Sequence, residues 1–177
     1  MNQEQLNQEM ETELEELGMD FRQAEVYYEY AKKGCVEAMY LLGKSDYIFD
    51  DIEPYEWLQQ AAEQNHPKAL SALGACYEMP KAVGGLDDEE KAILCYKKAA
   101  EMGEPGALYE LGRFYSMGHH VERDEKKGVE YITQAAKLGN AQALWTLSYI
   151  YKEGNSVVEK DLEKALEYAQ KAYTELL

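Results

Sequence analysis

Apolar residues along this chain recur three and four positions apart, in blocks separated by glycine-containing breaks. That spacing predicts amphipathic helices, not alternating strands. The clearest block is 104–139. Ala107, Leu108, Leu111, Gly112, Phe114 and Tyr115 fall on one helical face. Gly112 lies inside that face, where a glycine costs about 1 kcal/mol against alanine, so a close neighbouring helix is expected against it. Gly118 ends this helix, because glycine accepts the left-handed conformation just past a helix end. Asp124 starts the next, its carboxylate accepting from unpaired N–H groups of the first turn and favoured by the helix dipole. Val129, Tyr131, Ile132, Ala135, Ala136 and Leu138 make a second apolar face, and Gly139 stops it.

The same pattern recurs. Alanine followed five residues later by Gly or Ser occurs as Ala38/Gly43, Ala69/Gly74, Ala107/Gly112 and Ala143/Ser148. A leucine precedes the small residue each time (Leu42, Leu73, Leu111, Leu147), and Tyr77, Tyr115 and Tyr151 follow it by three. The first copy departs, with Asp46 there and Tyr47 next. The second half recurs as Asp-x-x-Lys and then alanine: Asp88/Lys91/Ala99, Asp124/Lys127/Ala135 and Asp161/Lys164/Ala172, each with 11 residues from Asp to Ala. Asp50 and Ala61 keep the 11 in the first copy, with Glu53 in place of the lysine. First-helix alanines are 31, 38 and 36 residues apart. A period in this range predicts a solenoid of helical hairpins.

These residues resemble a known family. A-x-x-x-L-G-x-x-Y, the loop G-x-x-V-x-x-D-x-x-K (Gly118, Val121, Asp124, Lys127) and the ending A-A-x-x-G (Ala135, Ala136, Gly139) are similar to the Sel-one-like repeat, a relative of the tetratricopeptide repeat with a longer loop inside the hairpin. The resemblance covers about Met19 to Leu177. It implies an all-α, right-handed superhelix that binds proteins or peptides and scaffolds complexes. Some cysteine-rich bacterial members are linked to penicillin binding or hydrolysis.

The chain divides accordingly. Residues 1–18 form an acidic helix or tail, in which Leu6, Met10, Leu14 and Leu17 still make a helical stripe and Gly18 breaks it. A terminal repeat needs a polar outer face, and this segment supplies one. Residues 19–177 are the solenoid: a lone helix in 19–34, then hairpins 35–65, 66–103, 104–139 and 140–177. The first hairpin has a trimmed loop, and Pro54 falls in the first turn of its second helix, where a missing N–H matters least. Pro80, Gly84 and Gly85 make the loop of the second irregular. No evident capping helix follows the last hairpin, so its edge is a candidate homodimer surface.

Composition narrows the partners. The 177 residues carry a net charge of -16, which disfavours nucleic acid and anionic membranes and favours basic partners. Cys35, Cys76 and Cys95 are odd in number and lack CxxC spacing. Two states stay open for them: buried reduced thiols, or a Cys76–Cys95 disulfide across facing helices. With no basic-then-apolar leader and no long apolar run, a cytoplasmic setting is expected. No cofactor or metal is expected. His119 and His120 are adjacent on a loop without a clustered acid or cysteine, and His66 falls at a helix junction. No GxSxG, P-loop or GxGxxG occurs.

The resemblance places the first helices on the concave face of the stack. Residues pointing there are then Tyr40, Lys44, Lys68, Tyr109, Arg113, Trp145, Tyr149 and Lys152, an aromatic and basic set on an acidic chain. Tyrosine and tryptophan anchor interfaces, and Arg and Lys clamp carboxylates. One reading is a groove for an extended peptide bearing a carboxylate or acidic side chains. The other is a tighter superhelix, in which these side chains pack against adjacent repeats. The expected role is a non-catalytic adaptor or scaffold. The alternatives are an immunity-type inhibitor that masks a basic partner and, by resemblance alone, a β-lactam-type hydrolase. Gly112→Leu is expected to overpack its hairpin by about 1–3 kcal/mol; an unchanged thermal unfolding midpoint would mean that Gly112 faces no other helix.

Overall fold

The computed structural model describes residues 2–17, 23–45, 52–79 and 86–174. Ten helices lie within them: α1 (Gln3–Leu17), α2 (Gln23–Lys32), α3 (Val36–Gly43), α4 (Pro54–Glu63), α5 (Pro67–Glu78), α6 (Glu89–Glu101), α7 (Pro105–Met117), α8 (Glu125–Lys137), α9 (Ala141–Glu153) and α10 (Leu162–Thr174). The chain is an all-α helical-repeat solenoid. It forms two compact units, Met1–Asp87 and Asp88–Leu177. Expectations at Gly18, Asp46, Tyr47, Asp50, Pro80, Gly84 and Gly85 fall outside the described residues.

Within each unit one rule holds: each helix packs on the next helix of that unit. The recurring small residues mark where they touch. Ala38, Ala69, Ala107 and Ala143 of the first helices and Ala61, Ala99, Ala135 and Ala172 of the second are all completely buried. Each first-helix alanine is the third residue of its helix, where its N–H needs a cap. His66, Glu104 and Asn140 accept from Ala69, Ala107 and Ala143 at 3.1, 2.6 and 2.8 Å. Second helices start on aspartate: Asp88, Asp124 and Asp161 accept from Lys91, Lys127 and Lys164 N–H groups at 3.1, 2.9 and 3.0 Å. The lysine of each Asp-x-x-Lys then turns back over the preceding helix in two copies. Lys127 lies 4.0 Å from the Tyr115 ring centre and Lys164 5.3 Å from that of Tyr151. Those tyrosines stack on Tyr131 and Tyr168.

Gly112 meets a second glycine. A Cβ on Gly112 would sit 2.9 Å from the Gly128 carbonyl oxygen, and one on Gly128 would sit 2.8 Å from the Gly112 carbonyl oxygen. The α7 and α8 backbones therefore touch directly, and neither side can move a backbone atom aside cheaply. Gly43 does the same against Leu58, whose backbone nitrogen would be 2.9 Å away. The fourth hairpin solves the contact differently. Ser148 donates its hydroxyl to the Ala165 carbonyl oxygen at 2.8 Å, so the larger residue satisfies its own polar atom across the helix pair.

The first copy departs from the repeat. Its second helix begins at Pro54 behind Glu53, three residues later than the Asp50 spacing predicts. The Glu53 N–H donates to the Glu56 carboxylate at 2.9 Å. Cys35, at the N-cap of α3, makes no side-chain cap. Gln3 of α1 supplies one from outside: its carbonyl accepts from Val36 N–H at 2.9 Å and its amide donates to Gly34 O at 2.8 Å. The Cys35 thiol donates to Asn7 at 3.1 Å. With Leu6 and Met10 buried, α1 closes the N-terminal edge and leaves six glutamates on the helix without a Lys or Arg. Among the described residues no helix is long and apolar enough to cross a membrane.

His66 ties α3 to α5. Its Nδ1 accepts from Ala69 N–H, so the ring proton sits on Nε2, which donates to the Glu37 carboxylate at 2.9 Å. That hydrogen bond, with a smaller contribution from Lys68, holds Glu37 below the ordinary glutamate value of 4.5. A carboxyl whose folded pKa is lowered stabilises the fold fully above its unfolded value and loses that contribution as pH falls through the folded one. Glu37→Gln is therefore expected to cost about 1 kcal/mol near neutral pH, with the gap to wild type closing as pH drops below 4.5. Urea unfolding across that range is the check, and a pH-independent gap would remove the carboxylate charge from the account.

Candidate functional site

In the second unit α7 and α9 lie side by side over α8, and a cleft of about 380 Å³ opens between them. Its walls are Tyr109, Arg113, Ser116 and Met117 from α7 and Thr146, Tyr149 and Ile150 from α9, with Ile132 of α8 beneath. Glu125, Gly154 and Asn155 close one end. The volume falls in the range of about 300–1,000 Å³ typical of ligand pockets. Two large side chains stand largely in solvent at its rim, Met117 at 60% and Tyr149 at 66% exposure.

The closed end is built by loop chemistry. Asn155 Oδ1 accepts from the N–H groups of Val157 and Val158 at 2.9 and 2.7 Å, which folds the loop after α9 into a tight turn. Ser156 then donates its hydroxyl to Glu125, fixing that turn to the start of α8. Arg123 reaches Glu125 at 3.4 Å and donates to Ser116 O at 3.1 Å.

Three residues of the candidate set, Tyr109, Arg113 and Tyr149, line this cleft together. The charge balance differs from the basic groove read from sequence. Arg113 donates from Nε to Glu110 at 2.8 Å and lies 4.9 Å from the Phe114 ring centre. Glu125 brings an acid into the wall. Trp145 is half-exposed outside the cleft lining, and Lys152 pairs with Glu153 at 3.5 Å. In the first unit Tyr40 packs on His66 with ring centres 5.0 Å apart, Lys44 lies 6.0 Å from the Tyr40 ring centre, and Lys68 acts on Glu37. Sequence reasoning missed Met117, Glu125 and Asn155. Met117 and Asn155 stand at helix ends with no repeat signature. Glu125 read only as an acid suited to a helix start.

The Sel1 repeat model matches residues 36–51, 55–66, 67–104, 105–140 and 141–175. Among solved structures, a Sel1 repeat protein from Oxalobacter formigenes is 29% identical over 98% of this chain and 73% of its own, with a TM-score of 0.77. A protective antigen of uropathogenic Escherichia coli with the same type of fold is 26% identical over 98% of this chain, at a TM-score of 0.70. The chain spans only 41% of that protein. An immunity protein of Pseudomonas aeruginosa, 18% identical over 87% of this chain and 74% of its own, shares the fold at a TM-score of 0.54. No curated protein matches the chain in sequence.

Titratable groups elsewhere read as structure. His120 pairs with Glu89, and its ring meets His119 edge-on at 5.7 Å. No group of three metal-ligating side chains occurs among the described residues. Cys35, Cys76 and Cys95 are free thiols, and burial pushes all three above the ordinary cysteine value. A raised thiol pKa lowers the thiolate fraction and so the reactivity. Cys35 is fully buried, whereas Cys76 and Cys95 are half-buried. A thiol reagent is therefore expected to label Cys76 and Cys95 slowly in the native protein and Cys35 only on unfolding. Recovery of a single thiol after denaturation without reductant would instead mean a Cys76–Cys95 disulfide.

Proposed function

We propose that this chain, which belongs to the Sel1 repeat family, is an interaction module that holds an extended segment of a partner protein in the α7–α9 cleft. Sel1 repeat proteins are generally protein-interaction modules and generally non-catalytic. The observation that carries the reading is the cleft itself: apolar walls, with Met117 and Tyr149 left in solvent at its mouth. Large side chains held out of the core beside a concave surface mark interaction sites, and tyrosines are favoured anchors there.

The ligand contributes an apolar side chain to lie over Ile132 between Tyr109 and Tyr149. A carboxylate on that ligand would share the Arg113 guanidinium with Glu110, since the group offers five donors in a planar fork. Glu125, whose carboxylate also meets Ser156 and Arg123, offers its remaining acceptor capacity to an amide or a cation. The ligand is thus polarised, acid towards Arg113 and donor towards Glu125.

A second reading draws on charge: an inhibitor that masks a basic partner with its acidic outer surface, for which the net -16 and the glutamate-rich α1 speak. Salt separates the two, because exposed charge pairs are screened and an apolar cleft is not.

The test is a peptide library screened against wild type and against Tyr109→Ala/Arg113→Glu. Loss of a buried aromatic anchor with reversal of a neighbouring charge is expected to weaken binding by about tenfold or more. Equal binding by both proteins would end the cleft reading. Binding that collapses with salt and ignores the double substitution would favour the acidic surface.

A further inference from the structure

A second cavity of the second unit, about 360 Å³ in volume, opens where α6, α7 and α8 meet. To its lining α6 contributes Lys97 and Glu101, α7 contributes Tyr115, and α8 contributes Lys127, Tyr131 and Gln134. It shares no lining residue with the α7–α9 cleft. Its six polar side chains offer ammonium, hydroxyl and amide donors against a single acid.

The two lysines are set apart from their counterparts in other repeats. In the second and fourth hairpins the lysine of Asp-x-x-Lys pairs with its own capping aspartate, Lys91 with Asp88 at 2.8 Å and Lys164 with Asp161 at 3.3 Å. Both of those lysines are exposed. Lys127 forms no ion pair among the described residues. It is half-buried and lies 4.0 Å from the centre of the Tyr115 ring, which stacks on Tyr131 at 5.7 Å. Lys97 is not a repeat feature. Counted from Asp88 and Asp124, it corresponds to Thr133 of α8, whose hydroxyl donates to the Val129 carbonyl oxygen of its own helix. Lys97 also forms no ion pair among the described residues. Two ammonium groups without a carboxylate partner thus border one cavity, on a chain with 34 acidic residues against 18 basic ones.

We propose that this cavity binds a carboxylate of a partner polypeptide, from an acidic side chain or a chain end, between Lys97 and Lys127. Hydrogen bonds from ammonium to carboxylate are roughly twice as strong as neutral ones, and the Tyr131 hydroxyl and Gln134 amide supply further donors. Charge favours a carboxylate over a phosphate. Two lysines against Glu101 leave one positive charge, which a carboxylate cancels. A phosphate dianion would leave a surplus negative charge beside Glu101. The net -16 of the chain does not prevent this, because at physiological salt exposed charges are screened beyond about 8 Å. The volume leaves room for the residue that carries the carboxylate. This site stands apart from the cleft reading, and either can fail without the other.

Two probes separate the sources: N-acetylglutamic acid α-amide, with only a side-chain carboxylate, and N-acetylalanine, with only a main-chain one. Titrated into the full chain, at least one should shift the Tyr115 and Tyr131 ring signals in NMR spectra, with a dissociation constant on the order of 1 mM for so few atoms. Lys97→Gln/Lys127→Gln should weaken that binding by about tenfold or more. Lys98→Gln/Lys126→Gln removes the same charge outside the lining and should change it by less than about twofold. Should Lys127→Gln lower the melting temperature, Lys97→Gln at its exposed position carries the test alone. Absence of any shift with both probes overturns the proposal. So do equal losses in the two double variants, shifts confined to Tyr109 and Tyr149 of the cleft, or tighter binding of inorganic phosphate than of either probe.

Discussion

Direct contact between the backbones of paired helices is the constraint from which the rest of this molecule follows. At Gly112 and Gly128 the backbones of α7 and α8 meet, each carbonyl oxygen standing only 2.8 or 2.9 Å from where the other residue's Cβ would be. Helices held that close bury a line of alanines completely, and leave the longer side chains to the flanks. The flanks then have two uses. One set of tyrosines stacks in pairs under lysines, and another set borders the cleft.

Capping turns this contact into a repeat. In the third and fourth hairpins the aspartate that opens the second helix places its lysine over the preceding helix, so one short motif both starts a helix and fastens it to its partner. The turn between repeats needs positive φ, found at Gly34, Gly103 and Gly139 and, in the turn between the first two hairpins, at Asn65. Asparagine is the side chain that tolerates that region best. Where the first hairpin lacks a capping side chain at Cys35, Gln3 provides the acceptor from another helix. Local helix chemistry there depends on a distant segment.

The cleft shows how the same geometry makes a surface for a partner. Residues three before and one after the small position, Tyr109 and Arg113, face the next first helix. The next helix presents Thr146, Tyr149 and Ile150 in return. A turn fixed by Asn155 and tied down through Ser156 and Glu125 blocks one end. The basic character read along the sequence is reduced because Arg113 meets Glu110 one turn back on its own helix. Counting charges by repeat position cannot register such a pairing.

The sequence by itself determined the helices, their capping aspartates, the close-packed glycines and the family, because each is written in short-range spacing: three and four for a face, eleven from cap to alanine. Helix periodicity and cap chemistry act within a few residues, so a linear reading captures them. What only the tertiary structure decided lies across longer distances. Gln3 capping α3, Ser148 bonding to α10 where α7 has Gly112, Glu125 turning into a cleft, and a leucine stripe on α10 left uncovered are all matters of which atoms meet when helices stack. Side chains of one type occupy equivalent repeat positions with different neighbours, and the neighbour sets the role.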